Sequence, residues 1–147
     1  MGLDMYLTAE RYLFTFGDST EDSHAIALLN EIPLLGKGDM KPRSIRYEAM
    51  YWRKAHSIHK WFVDNCQGGI DDCRYTDVGI EQLYDLLEVC ENVKNKDVLS
   101  VFESVDTYDF ELMAGKLDQY VKTAENLSKI LKTPGIERWD FVYNSSW

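Results

Sequence analysis

The stretch YWRKAHSIHKWF, residues 51–62, holds the greatest concentration of chemically versatile side chains in this 147-residue chain. Arg53 and Lys54 directly follow Trp52, and Trp61 stands near the end of the same stretch. Guanidinium and ammonium groups bind phosphates, and aromatic rings stack on planar ligands or on cations. The stretch is therefore suited to a phosphate-bearing ring such as a nucleotide. The alternative is that its cations lie over surface rings and pair with carboxylates.

Two histidines of this stretch, His56 and His59, lie one helical turn apart and could direct both imidazoles towards one point. A metal ion would need further ligands, for which Asp71, Asp72 and Cys73 are the candidates. The cysteines lack the Cys-x-x-Cys spacing of a zinc site. We therefore favour hydrogen-bonded core or pocket histidines, and we predict neither a metal ion nor another cofactor.

The turn GGIDDC, residues 68–73, places two neighbouring carboxylates in a glycine-containing loop. Such a pair can bind Mg²⁺ or transfer protons, but it more often serves turn formation. The closing residues 144–147, NSSW, could line a pocket with hydroxyls and an indole, or could simply end a strand. The candidate ligand-binding residues are, in chain order, Trp52, Arg53, Lys54, His56, His59, Trp61, Asp72, Tyr143, Ser146 and Trp147.

The charge balance restricts the partners. The chain has 25 Asp and Glu residues against 16 Lys and Arg residues, which gives a formal net charge of −9. Non-specific nucleic-acid binding requires cations that neutralise phosphates, so general DNA or RNA binding is not expected. A local basic pocket could still hold a small nucleotide, and the acidic surface could cover a basic partner protein.

Length and composition indicate one domain spanning residues 1–147. The three cysteines, an odd number, favour reduced thiols. The opening residues include Asp4 and no basic segment, which argues against a secretory signal peptide. No apolar run reaches the length of a membrane span. We therefore expect a cytoplasmic protein without a membrane partner.

Hydrophobic periodicity predicts both strands and helices. The predicted strands are residues 2–16 with a bulge or turn at 10–11, 44–50, 73–78 and 137–147. The predicted helices are residues 24–32, 51–66, 77–92 with Asp77 as its cap, and 110–131. In the second of these, His56 and His59 fall on the more apolar stripe. The pattern predicts an α+β fold: a small antiparallel sheet that includes both terminal strands, with amphipathic helices packed on one face.

A resemblance to a known family lies in four segments of the chain: MGLDMYL at the start, YWRKAHSIHKWF, DDC at 71–73 and YNSSW at the end. The chain resembles a family of small uncharacterised proteins encoded by bacteriophages and prophages. His56 stands where the family pattern has asparagine, and residues 98–109 are short of a loop rich in glycine and aromatic residues that is typical of the family. The resemblance implies a phage accessory protein and implies no reaction.

Three functions are consistent with these features. The first, which we favour, is a non-enzymatic binding protein in counter-defence that captures a nucleotide-type small molecule in the host cytoplasm. The second is an acidic inhibitor that binds a host defence protein or a nucleic-acid-processing protein. The third is a metal-dependent hydrolase that uses His56, His59, Asp71 and Asp72. No catalytic residue is assigned, since the sequence contains no P-loop, Gly-x-Ser-x-Gly or dinucleotide fingerprint. A second copy of the chain is a further candidate partner.

Overall fold

A computed structural model describes residues 2–13, 43–95 and 107–147, with side chains of the last range described from residue 116 onward. The strands are β1 (Asp4–Tyr12), β2 (Ser44–Arg53), β3 (Thr76–Val78) and β4 (Asp140–Ser146). The helices are α1 (His56–Cys66), α2 (Ile80–Asn95), α3 (Thr107–Leu131) and a short 3₁₀ helix (Ile136–Arg138).

The four strands form one antiparallel sheet in the order β2-β1-β4-β3. The first and last strands are neighbours, with Asp4 opposite Ser146 and Glu10 opposite Asp140. The prediction that both terminal strands lie in one antiparallel sheet is therefore confirmed, as is the α+β class. β1 runs unbroken through the predicted interruption at Glu10, and its register with β2 shifts instead between Leu7 and Thr8.

The two faces of the sheet differ in burial because side chains alternate along each strand. On β1, Met5, Leu7 and Ala9 are fully buried, whereas Asp4 and Tyr6 are only half-buried. The buried face packs on the helices in one hydrophobic cluster, to which each strand and each α-helix of the described residues contributes. One face of the sheet therefore packs on the helices, and the other face is more exposed to solvent.

Phe62 of α1 lies at the aromatic centre of this core. Its ring stacks on Tyr143 of β4 with the ring centroids 4.0 Å apart and the planes 7° from parallel. Trp52 and Trp61 each meet Phe62 edge-on, at centroid distances of 5.7 and 5.2 Å. Offset and edge-to-face contacts of this kind add to the stabilisation from burial alone.

The predicted helix over residues 51–66 is wrong in its first turn. Tyr51, Trp52 and Arg53 belong to β2, and α1 begins only at His56. These residues pair with Tyr6, Met5 and Asp4, and aromatic residues suit a half-buried pleated surface. Tertiary pairing therefore overrides the helical periodicity of the stretch.

Lys54 separates β2 from α1. Its backbone has a φ of 55°, in the left-handed region, and its N–H donates to the carbonyl of Leu3 at 2.7 Å. The turn leaves His56 exposed at the start of α1, while Ile58, His59, Phe62 and Val63 form the buried stripe. The prediction that His56 shares the apolar stripe is therefore wrong as well.

The other elements agree with prediction apart from their boundaries. Asp77 lies in β3 and does not cap α2; instead the Gln82 side chain accepts from the Gly79 N–H at 2.8 Å. On α3, Ala124, Leu127 and Leu131 are buried as the predicted stripe requires. The predicted helix over residues 24–32 lies outside the described residues. Among the described helices, none has the length and apolarity to cross a membrane.

Candidate functional site

The start of β1 lies between the end of β2 and the end of β4. We call this region the Asp4 end of the sheet, and it contains Asp4, Arg53, Lys54, Ser146 and Trp147. Asp4 lies opposite Arg53 on one side and opposite Ser146 on the other. Neighbouring strands lie just under 5 Å apart, so Arg53 and Ser146 are separated by about 10 Å. Candidate ligand-binding residues from the middle and from the end of the chain therefore lie at the same end of the sheet.

The two cations at this end are exposed and only weakly neutralised. The Arg53 side chain is 67% exposed, and its Nε lies 4.0 Å from Asp4 Oδ1, at the outer limit of an ion pair. The Tyr51 hydroxyl donates to the same Asp4 oxygen at 2.6 Å. Gly2 lies beside both cations, where an added Cβ would come within 3.4 Å of Lys54 Cε. Arg53 and Lys54 therefore leave charge available to an anion.

A cleft of about 390 Å³ runs between β2 and α3 beside Arg53. Its polar lining includes Tyr51, Arg53, Gln119, Lys122 and Asn126. Lys122 Nζ lies 2.8 Å from Asp118 on the same helix, and this hydrogen bond raises the pKa of the lysine. Gln119 Nε2 donates to the Arg53 carbonyl at 3.2 Å, which joins the helix to the strand. The cleft combines two cations, two amides and a phenol, groups that suit a phosphorylated ligand.

Trp52 serves the core beneath this cleft. Its indole is buried, and Nε1–H donates to Thr123 Oγ1 at 2.8 Å. The Thr123 hydroxyl donates in turn to the Gln119 carbonyl at 2.6 Å. The indole N–H is therefore satisfied inside the protein, as a buried donor must be. Trp52 supports the cleft and does not offer an open ring face for stacking.

A second cluster lies under the same end of the sheet, on its helix-packed face. His59 is buried, and its Nδ1 is 2.7 Å from the Tyr143 hydroxyl. Its Nε2 is 2.9 Å from Asp71 Oδ2. We call these three residues the His59 relay. The arrangement fits a neutral imidazole that donates from Nε2 to the Asp71 carboxylate and accepts at Nδ1 from the Tyr143 hydroxyl.

Two left-handed glycines place Asp71 within reach of the imidazole. Gly68 and Gly69, which follow α1, have φ values of 65° and 79°. The Gly69 N–H donates to the Val63 carbonyl at 2.8 Å, which closes the helix and turns the chain back along it. A residue with a Cβ would be strained at these positions. The QGG sequence is therefore the local reason that a residue of the DDC turn contacts α1.

The buried end of the relay is held in a protonated form. Burial raises the pKa of the Tyr143 hydroxyl, and the charge of Asp71 raises it further. Ser145 lies near enough to lower that pKa in part, but its hydroxyl makes no hydrogen bond of normal geometry. Tyr143 is therefore a hydrogen-bond donor to His59 rather than a source of charge.

Trp147 stands over the relay. Its ring centroid is 5.7 Å from that of His59, with the planes 89° apart, and the residue is 56% exposed. The indole thus contacts the buried relay at one edge and presents a surface to solvent. An exposed ring of this kind is available for stacking.

The structure brings seven of the ten predicted ligand-binding residues to the Asp4 end of the sheet or to the relay beneath it. His59, Tyr143 and Trp147 meet in the relay, and Trp52 and Arg53 line the cleft. Lys54 and Ser146 lie at the same end of the sheet, where Ser146 pairs with Asp4.

His56, Trp61 and Asp72 have other surroundings in the described part of the chain. His56 is exposed at the start of α1, and Trp61 packs edge-on against Phe62. Asp72 serves its own turn, where it accepts from the Arg74 N–H at 3.3 Å and lies 3.4 Å from Arg74 Nε.

Several residues of these clusters are absent from the predicted ligand-binding set, among them Asp71, Gln119 and Lys122. Asp71, rather than Asp72, contacts His59, and only the reversal of the chain at Gly68 and Gly69 decides between them. Gln119 and Lys122 lie on α3, one turn apart, beside its buried stripe. A polar pair at that spacing could have indicated a helix flanked by a cleft, but its partner strand was not evident from the sequence.

The residues weighed for a metal site do not form one in the described part of the chain, where no group of three or more His, Cys, Asp or Glu side chains has a suitable arrangement. Both ring nitrogens of His59 are already engaged, by Tyr143 and Asp71. Coordination by His59 would require one of these hydrogen bonds to break. Asp71 therefore acts on the imidazole.

Thiol reactivity is expected to separate Cys73 from the other cysteines. Burial raises the pKa of Cys66 to about 11, and burial followed by the charge of Glu91 raises that of Cys90 to about 12. Since the thiolate is the nucleophile, both should react slowly at pH 8. Timed alkylation of the native protein, followed by peptide mapping, should label Cys73 first. Labelling of Cys90 as fast as Cys73 would contradict the packing described.

Comparisons with protein-family models, with curated proteins and with solved structures found no match for this chain. The function therefore rests on the chemistry of the cleft and of the His59 relay.

Proposed function

We propose that the protein is a non-enzymatic binding protein that captures a nucleotide-type small molecule at the Asp4 end of the sheet. The observation that carries the proposal is the cleft between β2 and α3, where Arg53 and Lys122 line one cavity of about 390 Å³. That volume falls in the range of small-molecule sites. A phosphate would bind to the two cations, with Lys54 close by at the same end of the sheet.

Local charge can favour an anion even though the whole chain carries −9. Arg53 and Lys122 line the cleft and Lys54 lies beside Arg53, which gives three positive charges against two carboxylates, Asp118 in the lining and Asp4 at 4.0 Å from Arg53. The Gln119 and Asn126 amides add groups that can donate to phosphate oxygens. Charge-assisted hydrogen bonds are about twice as strong as neutral ones, so these groups can outweigh distant repulsion.

Calorimetric titration against mononucleotides and cyclic nucleotides tests the proposal. Arg53→Gln and Lys122→Gln should each weaken binding by roughly 10- to 100-fold, because a hydrogen bond to a charged group contributes about 1.5–3 kcal/mol. The matched control is Lys129→Gln, since Lys129 lies on the same helix but does not line the cleft.

The control variant should bind as tightly as the unaltered protein. Failure of the unaltered protein to bind any nucleotide in the panel would overturn the proposal. Equal weakening of nucleotide binding by Lys129→Gln and Lys122→Gln would mean that the overall charge of the protein causes the loss of affinity. That result would overturn the assignment of the binding site to the cleft.

The biological setting of the proposal is phage counter-defence in the host cytoplasm. It is supported by the resemblance of the GLDMYL, YWRKAHSIHKWF and NSSW segments to a phage and prophage family. A small binding protein made in quantity could lower the free concentration of a nucleotide signal by mass action. The proposal assigns no reaction and requires no metal ion or cofactor.

One observation favours a second candidate, an acidic inhibitor of a basic host protein. Glu81, Asp85, Glu88 and Glu91 are all exposed on α2, and 100° per residue places them on one face. A basic defence or nucleic-acid-processing protein would complement this face. Capture from host lysate that is lost in high salt, and that persists in Arg53→Gln, would favour this candidate over nucleotide capture.

A further inference from the structure

We propose that Asp71 and Trp147 recognise the base of the captured nucleotide, and that this base is of the guanine type. The inference deepens the proposed function and rests on it for the phosphate end of the ligand. The cationic cleft accounts for the phosphate, and Asp71 and Trp147 account for the base. The carrying observations are an oriented carboxylate, an exposed indole beside it, and a buried hydroxyl without a partner.

The Asp71 carboxylate is oriented by His59 and still has acceptor capacity. Oδ2 accepts from His59 Nε2 at 2.9 Å, and Oδ1 has no donor among the described residues. The Asp71 side chain is 38% exposed, whereas that of His59 is 8% exposed. Because His59 is in turn held by Tyr143, the carboxylate is fixed in direction. A fixed acceptor costs less ordering entropy when it binds a ligand donor.

Ser145 supplies an independent sign that the cluster is incomplete. It is 3% exposed, and its hydroxyl has no hydrogen-bond partner in the described part of the chain. It lies on β4 between Tyr143 and Trp147, and strand alternation places all three on one face. An unsatisfied buried hydroxyl is unfavourable, so this group is expected to gain a partner from a ligand or from water.

Trp147 provides the surface on which a planar ring can stack. Its ring contacts His59 edge-on and leaves more than half of the residue exposed. Proteins commonly bind unpaired bases by stacking on an aromatic side chain while polar groups bond to the base edge. Trp147 and Asp71 both contact the same imidazole, so stacking and edge recognition are available at one place.

The acceptor character of Asp71 selects the base. Guanine presents two adjacent N–H donors on its pairing edge, at N1 and at the 2-amino group, and a carboxylate is an acceptor only. Adenine presents a ring acceptor at the corresponding position and would oppose the carboxylate. Asp4 pairs with both Arg53 and Ser146, so the backbone of Arg53 lies about 10 Å from that of Ser146, the residue before Trp147.

The test compares guanosine monophosphate, adenosine monophosphate and ribose 5-phosphate in calorimetric titrations of the full chain. The guanine nucleotide should bind at least about tenfold more tightly than the other two, as a good two-donor contact permits. Asp71→Asn should remove this preference, because the asparagine carbonyl can still accept from His59 while its amide turns a donor outward. The affinity for ribose 5-phosphate should not change.

Asp72→Asn is the matched control, since Asp72 is the neighbouring carboxylate and bonds to Arg74. It should leave the guanine preference intact. Equal affinity for all three probes would overturn the base assignment and leave phosphate capture standing. Guanosine is titrated as a further probe without phosphate: binding as tight as that of guanosine monophosphate would support the base assignment and would defeat the proposed cationic cleft. Failure of all three probes to bind would overturn both.

Discussion

Replacing Phe62 by alanine is expected to lower the free energy of unfolding by about 3–5 kcal/mol, the cost typical of a fully buried phenylalanine. Phe62 has no exposed surface and contacts three aromatic rings, those of Trp52, Trp61 and Tyr143. These rings belong to β2, α1 and β4, so the cavity would open between the sheet and its first helix. Rigid aromatic neighbours cannot collapse fully into such a cavity, so we expect a loss of stability towards the upper end of this range.

Chemical denaturation of the two proteins measures this difference. Tyr75→Ala is the control because it also removes an aromatic ring, but Tyr75 is 76% exposed. We expect the control to change the free energy of unfolding by less than about 0.5 kcal/mol, as for most surface substitutions. Similar losses for the two variants would contradict the placement of Phe62 at the centre of the core.

The second large effect concerns the His59 relay. Tyr143→Phe removes only the hydroxyl and leaves His59 Nδ1 buried without a donor, and His59→Leu leaves the Tyr143 hydroxyl buried without an acceptor. Each variant is expected to lose about 1–3 kcal/mol, the cost of an unsatisfied buried polar group. The double variant leaves neither group unsatisfied across this contact. Its loss should therefore be smaller than the sum of the two single losses.

A double-mutant cycle measured by denaturation gives the coupling between the two residues. We expect a coupling free energy of about 1–2 kcal/mol, in the range found for directly contacting groups. His56→Leu combined with Tyr143→Phe is the matched control, since His56 is the exposed histidine of the same helix. A coupling free energy near zero in the His59 cycle, as expected for the control cycle, would mean that the hydrogen bond between His59 and Tyr143 does not form.

Periodicity alone predicted most of the fold. The alternation of residues 137–147 predicted a strand at the end of the chain, and this strand, β4, lies in one sheet with the first strand, as expected. The stretch 51–53 was misread because Tyr, Trp and Arg fit a helical stripe as well as a strand. The deciding interaction is its pairing with residues 4–6, which are distant in sequence.

The candidate site was predictable only in part, for the same reason. His59, Tyr143 and Trp147 were identified from residue type, but nothing local indicated that they surround one another. Asp71 and Asp72 are adjacent and chemically identical, and the backbone path at Gly68 and Gly69 selects between them. Long-range contacts of this kind depend on the packed sheet and not on a motif.

The central claim, that an anionic nucleotide binds beside Arg53, is tested most directly by NMR of the arginine Nε–H groups during titration with guanosine monophosphate. Arg46 is the internal control, because it lies on the same strand and is paired with Glu10 at 2.7 Å. The proposal predicts that the Arg53 Nε–H signal shifts with saturation while the Arg46 signal stays in place. An Arg53 signal that does not move at the highest soluble nucleotide concentration would contradict the claim.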